Sequence, residues 1–153
     1  MLHVRVPGRA DLELEHLILD VNGTLTDRGR LIDGVAARVH ALGSALALHV
    51  LSADTYGNAH DIAARLGATF RRVAHGEEKR AHVERLGAMR TAAIGNGAND
   101  AAMLATVALG IAVIGPEGAS SAALAAADIV TGSILAALDV RGDPTALAAT
   151  LRS

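Results

Sequence analysis

Leu17-Ile18-Leu19-Asp20-Val21-Asn22-Gly23-Thr24-Leu25-Thr26 is the stretch that decides the fold. Three aliphatic residues predict a short buried strand. The carboxylate that ends it is followed at once by Asn22-Gly23, a common tight-turn dipeptide. That arrangement puts Asp20 at the carboxyl edge of a sheet, where open α/β sheets bind their ligands. An isolated Asp at a strand end also serves as a turn residue or a helix cap, so the rest of the chain has to discriminate.

Working outward, residues 3–6 and 11–14 alternate around Pro7-Gly8-Arg9 and predict a small N-terminal β-hairpin over about 3–14. Asp20 ends the strand 16–20. Val35, Val39, Leu42 and Leu46 recur at helical spacing over 34–46, with Asp33 as the expected N-cap. A strand over 47–51 ends at Ser52-Ala53-Asp54, a helix over about 55–66 stops at Gly67, and a short strand covers 68–73. The helix 76–87 carries Lys79 in its first turn. The strand 91–94 runs into Gly95-Asn96-Gly97-Ala98-Asn99-Asp100, with Asn99 as a plausible cap of the helix that continues through Met103. A strand over 109–114, the turn Gly115-Pro116, a helix near 117–126 and a strand over 128–131 repeat the cycle. Short helices finish the chain, Pro144 suiting a first-turn position. Strands alternating with helices predict an α/β fold with a single doubly wound, mainly parallel sheet. The 153 residues fit one domain, 1–153, with its core at about 16–140.

Bulk properties narrow the function. A formal charge of −2 supplies no basic field for nucleic acid and no polybasic membrane patch. The chain has no cysteine, so disulfides and thiolate metal sites are excluded. No stretch reaches the length of a membrane span and the N-terminus lacks a secretory apolar run, so a cytoplasmic protein is expected. Phe70 and Tyr56 are the only aromatics, which leaves little to stack on a base or a sugar ring. His75 and His82, seven apart along a helix edge, read as solvated, and the remaining histidines are scattered without ligand spacing.

The string Asp20-Val21-Asn22-Gly23-Thr24-Leu25-Thr26 resembles the first motif of the haloacid dehalogenase-like (HAD) superfamily, D-x-D-G-T-[LV]-[TV], and Gly95–Asp100 resembles its G-D-G-x-N-D. The resemblance runs from Leu17 to about Leu138. It implies a Rossmann-like core in which Asp20 attacks phosphorus, Ser52 hydrogen-bonds the phosphoryl group with Gly23 and Thr24, and Lys79 neutralises charge. Lys79 is the only lysine among 14 basic residues, and a cation in a first helical turn opposes the helix dipole. The implied cofactor is Mg2+, contacting Asp20, the Asn22 backbone carbonyl, Asn96 and Asp100, with Asn99 nearby. Ser52-Ala53-Asp54 is similar in shape to the T-G-D motif of P-type ATPases, which would put Asp54 near the metal. Ser52 follows Asp20 by 32 positions and Lys79 follows Ser52 by 27. Neither gap holds a substantial cap or nucleotide domain, so a capless protein resembling the phosphorylation domain of those pumps is expected.

The sequence departs from the phosphatase pattern at Asn22, where the family places an acid/base Asp, and at Asn96. An amide cannot exchange a proton with the leaving group or with water, help typically worth about 10²–10⁴ in rate. The expected function is therefore slow hydrolysis of a small phosphorylated substrate through an aspartyl phosphate on Asp20, with acyl and aryl phosphates favoured. The alternative is a catalytically weakened binding or regulatory protein on the same fold. A receiver-type signalling domain accounts for neither the Gly-Thr-Leu-Thr turn nor the Gly-Asn-Gly-x-Asn-Asp loop. An open, capless site also makes a homo-oligomer plausible.

Overall fold

The computed structural model describes residues 1–140 and 144–152. An antiparallel hairpin, β1 (Leu2–Val4) with β2 (Leu12–Leu14), precedes the main sheet, and a two-residue ribbon, β4 (Thr26–Asp27) with β5 (Arg30–Leu31), follows its first strand. The main sheet contains β3 (His16–Leu19), β6 (Ala47–Ser52), β7 (Thr69–Arg72), β8 (Thr91–Gly95), β9 (Leu109–Val113) and β10 (Ile129–Thr131). All its pairings are parallel, in the order β10-β9-β8-β3-β6-β7. The chain passes from β3 outward to β6 and β7, then returns to the other side of β3 as β8. The crevice between β3 and β8 is thus the topological switch point, where such sheets place their ligands.

Every residue of β8 and β9 is buried, as expected of parallel strands covered on both faces. Alternation along β3 divides the core in two. Leu17 and Leu19 join the cluster under α1 (Val35–Gly43), α2 (Ala59–Leu66), α6 (Ile134–Asp139) and α7 (Pro144–Leu151). Ile18, Leu51, Ala93 and Ala112 join the cluster under α3 (Gly76–Leu86), α4 (Ala101–Thr106) and α5 (Ser121–Ala126). A Cβ on Gly76 would stand 2.8 Å from the Asn99 carbonyl oxygen, so this glycine lets α3 press its first turn against the turn that carries Asp100. Among the described residues no helix is long and apolar enough to cross a membrane.

Several expectations are corrected. The helix near 34–46 ends at Gly43 and follows Gly34 in a left-handed conformation (φ 87°), so Asp33 does not cap it. α2 begins at Ala59 because Asp54, also left-handed (φ 60°), turns the chain, and its carboxylate accepts the Ala59 N–H at 2.8 Å. Residues 115–120 are loop, and α5 starts after Ser120, whose hydroxyl accepts the Ala123 N–H. Asn99 sits exposed inside a 3-10 turn (Ala98–Asp100) rather than capping a helix. The β4–β5 ribbon was not expected. His82 is not simply solvated, since its Nε2 is buried and its ring meets that of His49.

Candidate active site

β3 and β8 end side by side, and the next residues of each build the site. The Asp20 N–H extends the ladder to the Ile94 carbonyl at 3.0 Å, which fixes where its side chain emerges. Asp20 is 6% exposed. Its Oδ1 accepts from Lys79 Nζ at 2.7 Å, and the same ammonium donates to Asp100 Oδ1 at 2.6 Å. Lys79 itself is 0% exposed, so the helix face packed on the sheet aims its ammonium between two carboxylates. Asp100 Oδ2 accepts the backbone N–H groups of Asn96 (3.1 Å) and Gly97 (2.9 Å). The expectation that Asp100 ligates a metal therefore meets a carboxylate already engaged at both oxygens, holding the lysine and the turn.

Thr24 Oγ1 lies 3.1 Å from Asp20 Oδ2 and 3.0 Å from Asn96 Oδ1. One hydroxyl proton cannot serve both oxygens at once, so this corner holds more acceptors than donors. Its lone pairs suit a hard cation, and a single carboxylate is within the range magnesium uses alongside waters. Asn96 Nδ2 donates to the Gly118 carbonyl at 3.0 Å, tying the turn after β8 to the loop after β9. Asn22 Nδ2 donates to Thr55 Oγ1 at 3.0 Å across the mouth. Both amides thus make donor contacts that a carboxylate could not.

Ser52 ends β6 fully buried. Its Oγ accepts the Asp54 N–H at 2.9 Å and has no acceptor for its own proton among the described residues. The Thr24 N–H is used inside the loop, donating to the Val21 carbonyl. Gly23 is left-handed (φ 74°), and a Cβ there would lie 2.5 Å from Asn96 Nδ2, so only glycine fits beneath that amide. Asp54 faces α2, and Asn99 makes no hydrogen bond to the group. Sequence reasoning missed the rim. Asn58 Nδ2 holds the Gly29 carbonyl at 2.7 Å and Glu117 Oε2 accepts the Arg28 N–H at 3.2 Å, so the β4–β5 tip is tied down from two sides.

Burial raises the Asp20 carboxyl to about 6, with the Asp100 charge adding to it and Lys79 and Thr24 opposing. For Lys79 burial acts downward, but the Asp20 and Asp100 carboxylates outweigh it and its pKa moves up. The lysine is therefore a fixed cation, and Asp20 takes up a proton more readily than an ordinary carboxylate. Two carboxylates against one ammonium leave the cluster with surplus negative charge once Asp20 ionises.

A family model described as haloacid dehalogenase-like hydrolase matches residues 74–135, the segment that supplies Lys79 and the Gly95–Asp100 turn. The cobalt-bound deoxy-D-mannose-octulosonate 8-phosphate phosphatase of Haemophilus influenzae superposes with a TM-score of 0.70 at 20% identity, covering 92% of this chain and 94% of that one. The matched segment is about two fifths of the chain, and the chain as a whole shares the fold of HAD-family structures. It has the HAD phosphatase-like fold without a cap, only the short β4–β5 ribbon standing where a cap would be inserted. The 3-deoxy-D-manno-octulosonate 8-phosphate phosphatase of Moraxella catarrhalis, in complex with magnesium, phosphate and the sugar acid, is similar at TM-score 0.64 and 18% identity, with 91% and 94% coverage. A zinc-transporting PIB-type ATPase in its E2.Pi state matches at TM-score 0.60 and 27% identity, over 74% of this chain but 18% of the pump. An uncharacterized protein of Methanocaldococcus jannaschii is 48% identical over 60 residues, which is 39% of this chain and 64% of that protein.

Proposed function

We propose that this chain is a HAD-type phosphoryl-transfer enzyme, a slow phosphatase whose nucleophile is Asp20. The observation that carries the reading is the Asp20–Lys79–Asp100 cluster at the switch point, a buried carboxylate held against a buried, permanently charged lysine. An Asp20 oxygen forms the bond to phosphorus while the leaving oxygen departs in line with its electron pair. Lys79 and the Ser52 hydroxyl meet the charge on the equatorial oxygens, and Asp100 keeps the lysine aimed. Asn22 supplies no proton to the leaving group, which then takes one from water, so acyl and aryl phosphates react in preference to alkyl esters. Attack of water on the aspartyl phosphate lacks a base at the same position and is slow.

Magnesium fits the oxygen-rich corner, where Asp20, Asn96 Oδ1 and the Asn22 carbonyl would hold it, and when bound it supplies positive charge to the phosphoryl oxygens. The small phosphorylated substrates named for the two octulosonate phosphatases support a small phosphorylated substrate here.

Incubation with acetyl phosphate and Mg2+, an acid quench and intact-mass measurement test the reading directly. One phosphoryl adduct is expected on the parent chain and none on Asp20→Asn. No adduct, together with no phosphate release above the Asp20→Asn background, would move the assignment to a binding or regulatory protein that kept the fold.

A further inference from the structure

On the sheet face covered by α3, at the edge opposite Asp20, three imidazoles meet. His16 opens β3, His49 lies diagonally across in β6, and His82 reaches down from α3. His16 Nδ1 and His49 Nε2 are 3.2 Å apart. That contact needs one N–H and one lone pair, so the two facing nitrogens cannot both carry protons. His49 Nδ1 is engaged by Thr69 Oγ1 at 3.1 Å. His82 Nδ1 faces the Arg85 guanidinium at 3.3 Å. A guanidinium only donates, so this nitrogen accepts, and the neutral ring carries its proton on Nε2.

His82 Nε2 is buried, and it alone among the buried side-chain nitrogens and oxygens described has no hydrogen-bond partner. The ring it meets is His49, edge to face at 65° with centroids 5.7 Å apart. An aromatic face attracts an N–H only while that ring is uncharged.

The charged surroundings all act in one direction. His16 from β3, Arg71 from β7 and Arg85 from α3 are the groups whose charges act on the His49 and His82 pair, and none of them is acidic. β8 contributes Thr91, which donates to the Gly87 carbonyl. The acids of α3 are engaged elsewhere, Glu78 with His75, and Glu77 and Glu84 with Arg80.

We propose that the His16–His49–His82 stack is a proton-sensitive seat for α3, closed while His49 is neutral and opened when His49 takes a second proton. Protonation would put a charge into a part-buried contact, fix the His49 Nε2–H as the donor to His16, and set a cation against the ring of His82, which already feels Arg71 and Arg85. Burial first, then the neighbouring bases, lower His49 from 6.5 to about 4, and His82 moves the same way. Both folded-state values lie below those of the unfolded chain. The stability the seat contributes is therefore complete above pH 6.5 and declines as pH falls from there toward 4, about tenfold in equilibrium constant per pH unit for His49. Lys79 precedes His82 by one turn of the same helix, so opening the seat loosens the element that delivers the ammonium to Asp20. The proposal does not depend on whether Asp20 is a nucleophile.

Hydrogen exchange of α3 amides at pH 7 and pH 4.5, corrected for intrinsic rates and referenced to β8 and β9, tests it. The comparison is made between Asp20→Asn and Asp20→Asn/His49→Gln, which removes the titration of Asp20 from both arms. Selective loss of α3 protection by more than about tenfold is expected in the first and less than about threefold in the second. Equal loss in both would overturn the proposal. Ring 1H–15N NMR of the parent chain gives a second readout that needs no variant. A His49 titrating near 4 supports the seat, and one titrating at 6.5 or above refutes it.

Discussion

Lys79→Met isolates the ion cluster from the rest of the site. The side chains are of similar length, so packing is largely kept while the ammonium that touches Asp20 at 2.7 Å and Asp100 at 2.6 Å disappears. Two carboxylates then remain buried without a cation. Breaking a buried pair in this way costs about 3–5 kcal/mol, a large share of the roughly 5–15 kcal/mol that holds a domain together. The loss should depend on pH, and its sign follows from linkage. Asp20 already titrates near 6 with the lysine present, above its ordinary 3.8. Lys79 is what holds the Asp20 value down, so without it the Asp20 carboxyl moves higher, the folded variant binds a proton that the unfolded chain releases, and its stability recovers as pH falls from 7.5 toward 5. Urea unfolding followed by far-UV circular dichroism measures this in a chain with no tryptophan and one tyrosine. The difference between variant and parent is compared at pH 7.5 and 5, which cancels titrations common to both. Adding Asp100→Asn should return part of the loss, because it removes one stranded charge and keeps an acceptor for the Asn96 and Gly97 N–H groups. A deficit below about 1 kcal/mol at pH 7.5, or one equally large at pH 5, would refute the reasoning.

Asn22→Asp should shorten the lifetime of the acid-quenched adduct and raise steady-state phosphate release by about 10²–10⁴, since it restores a proton carrier; unchanged turnover would show that Asn22 is not what limits the site. Asn96→Asp removes the donor to the Gly118 carbonyl and brings a second carboxylate to the Asp20 corner. It should lower metal-free stability by about 1–3 kcal/mol while tightening magnesium binding, read by thermal denaturation and by titration calorimetry. In metal-free protein, carboxyl 13C NMR should place the Asp20 midpoint near 6. A value near 3.8 would mean that burial does not govern that carboxylate.

How far the site was legible depended on what positions each residue. Asp20, Ser52 and Asn96 lie at or just past the ends of largely apolar strands, and a buried parallel strand leaves only its carboxyl end free to present polar groups. Their convergence therefore followed from local pattern plus the order of the strands. Asp100 and Asn96 were legible as members of the site, but not in what they do. Nothing in Gly95–Asp100 says that one carboxylate accepts two N–H groups of its own turn and holds a lysine 21 positions away. The rim was illegible for a related reason. A two-residue ribbon has too little chain to show a period, and it is fixed by Asn58 and Glu117 from distant loops. The histidines of 16, 49 and 82 lacked ligand spacing along the sequence because they come from two strands and a helix.

The amino-acid sequence by itself determined the alternation of strands and helices, the parallel sheet, and the strand ends from which Asp20, Ser52 and the Gly95–Asp100 turn project, because hydrophobic period and turn residues are local properties of the chain. Only the tertiary structure decided which polar groups share a proton or an ion. Lys79 between Asp20 and Asp100, the Thr24 hydroxyl between Asp20 and Asn96, and His49 between His16 and His82 are each set by how α3 and the two central strands pack. In that packing, displacements of an ångström separate a hydrogen bond from an unpaired buried group.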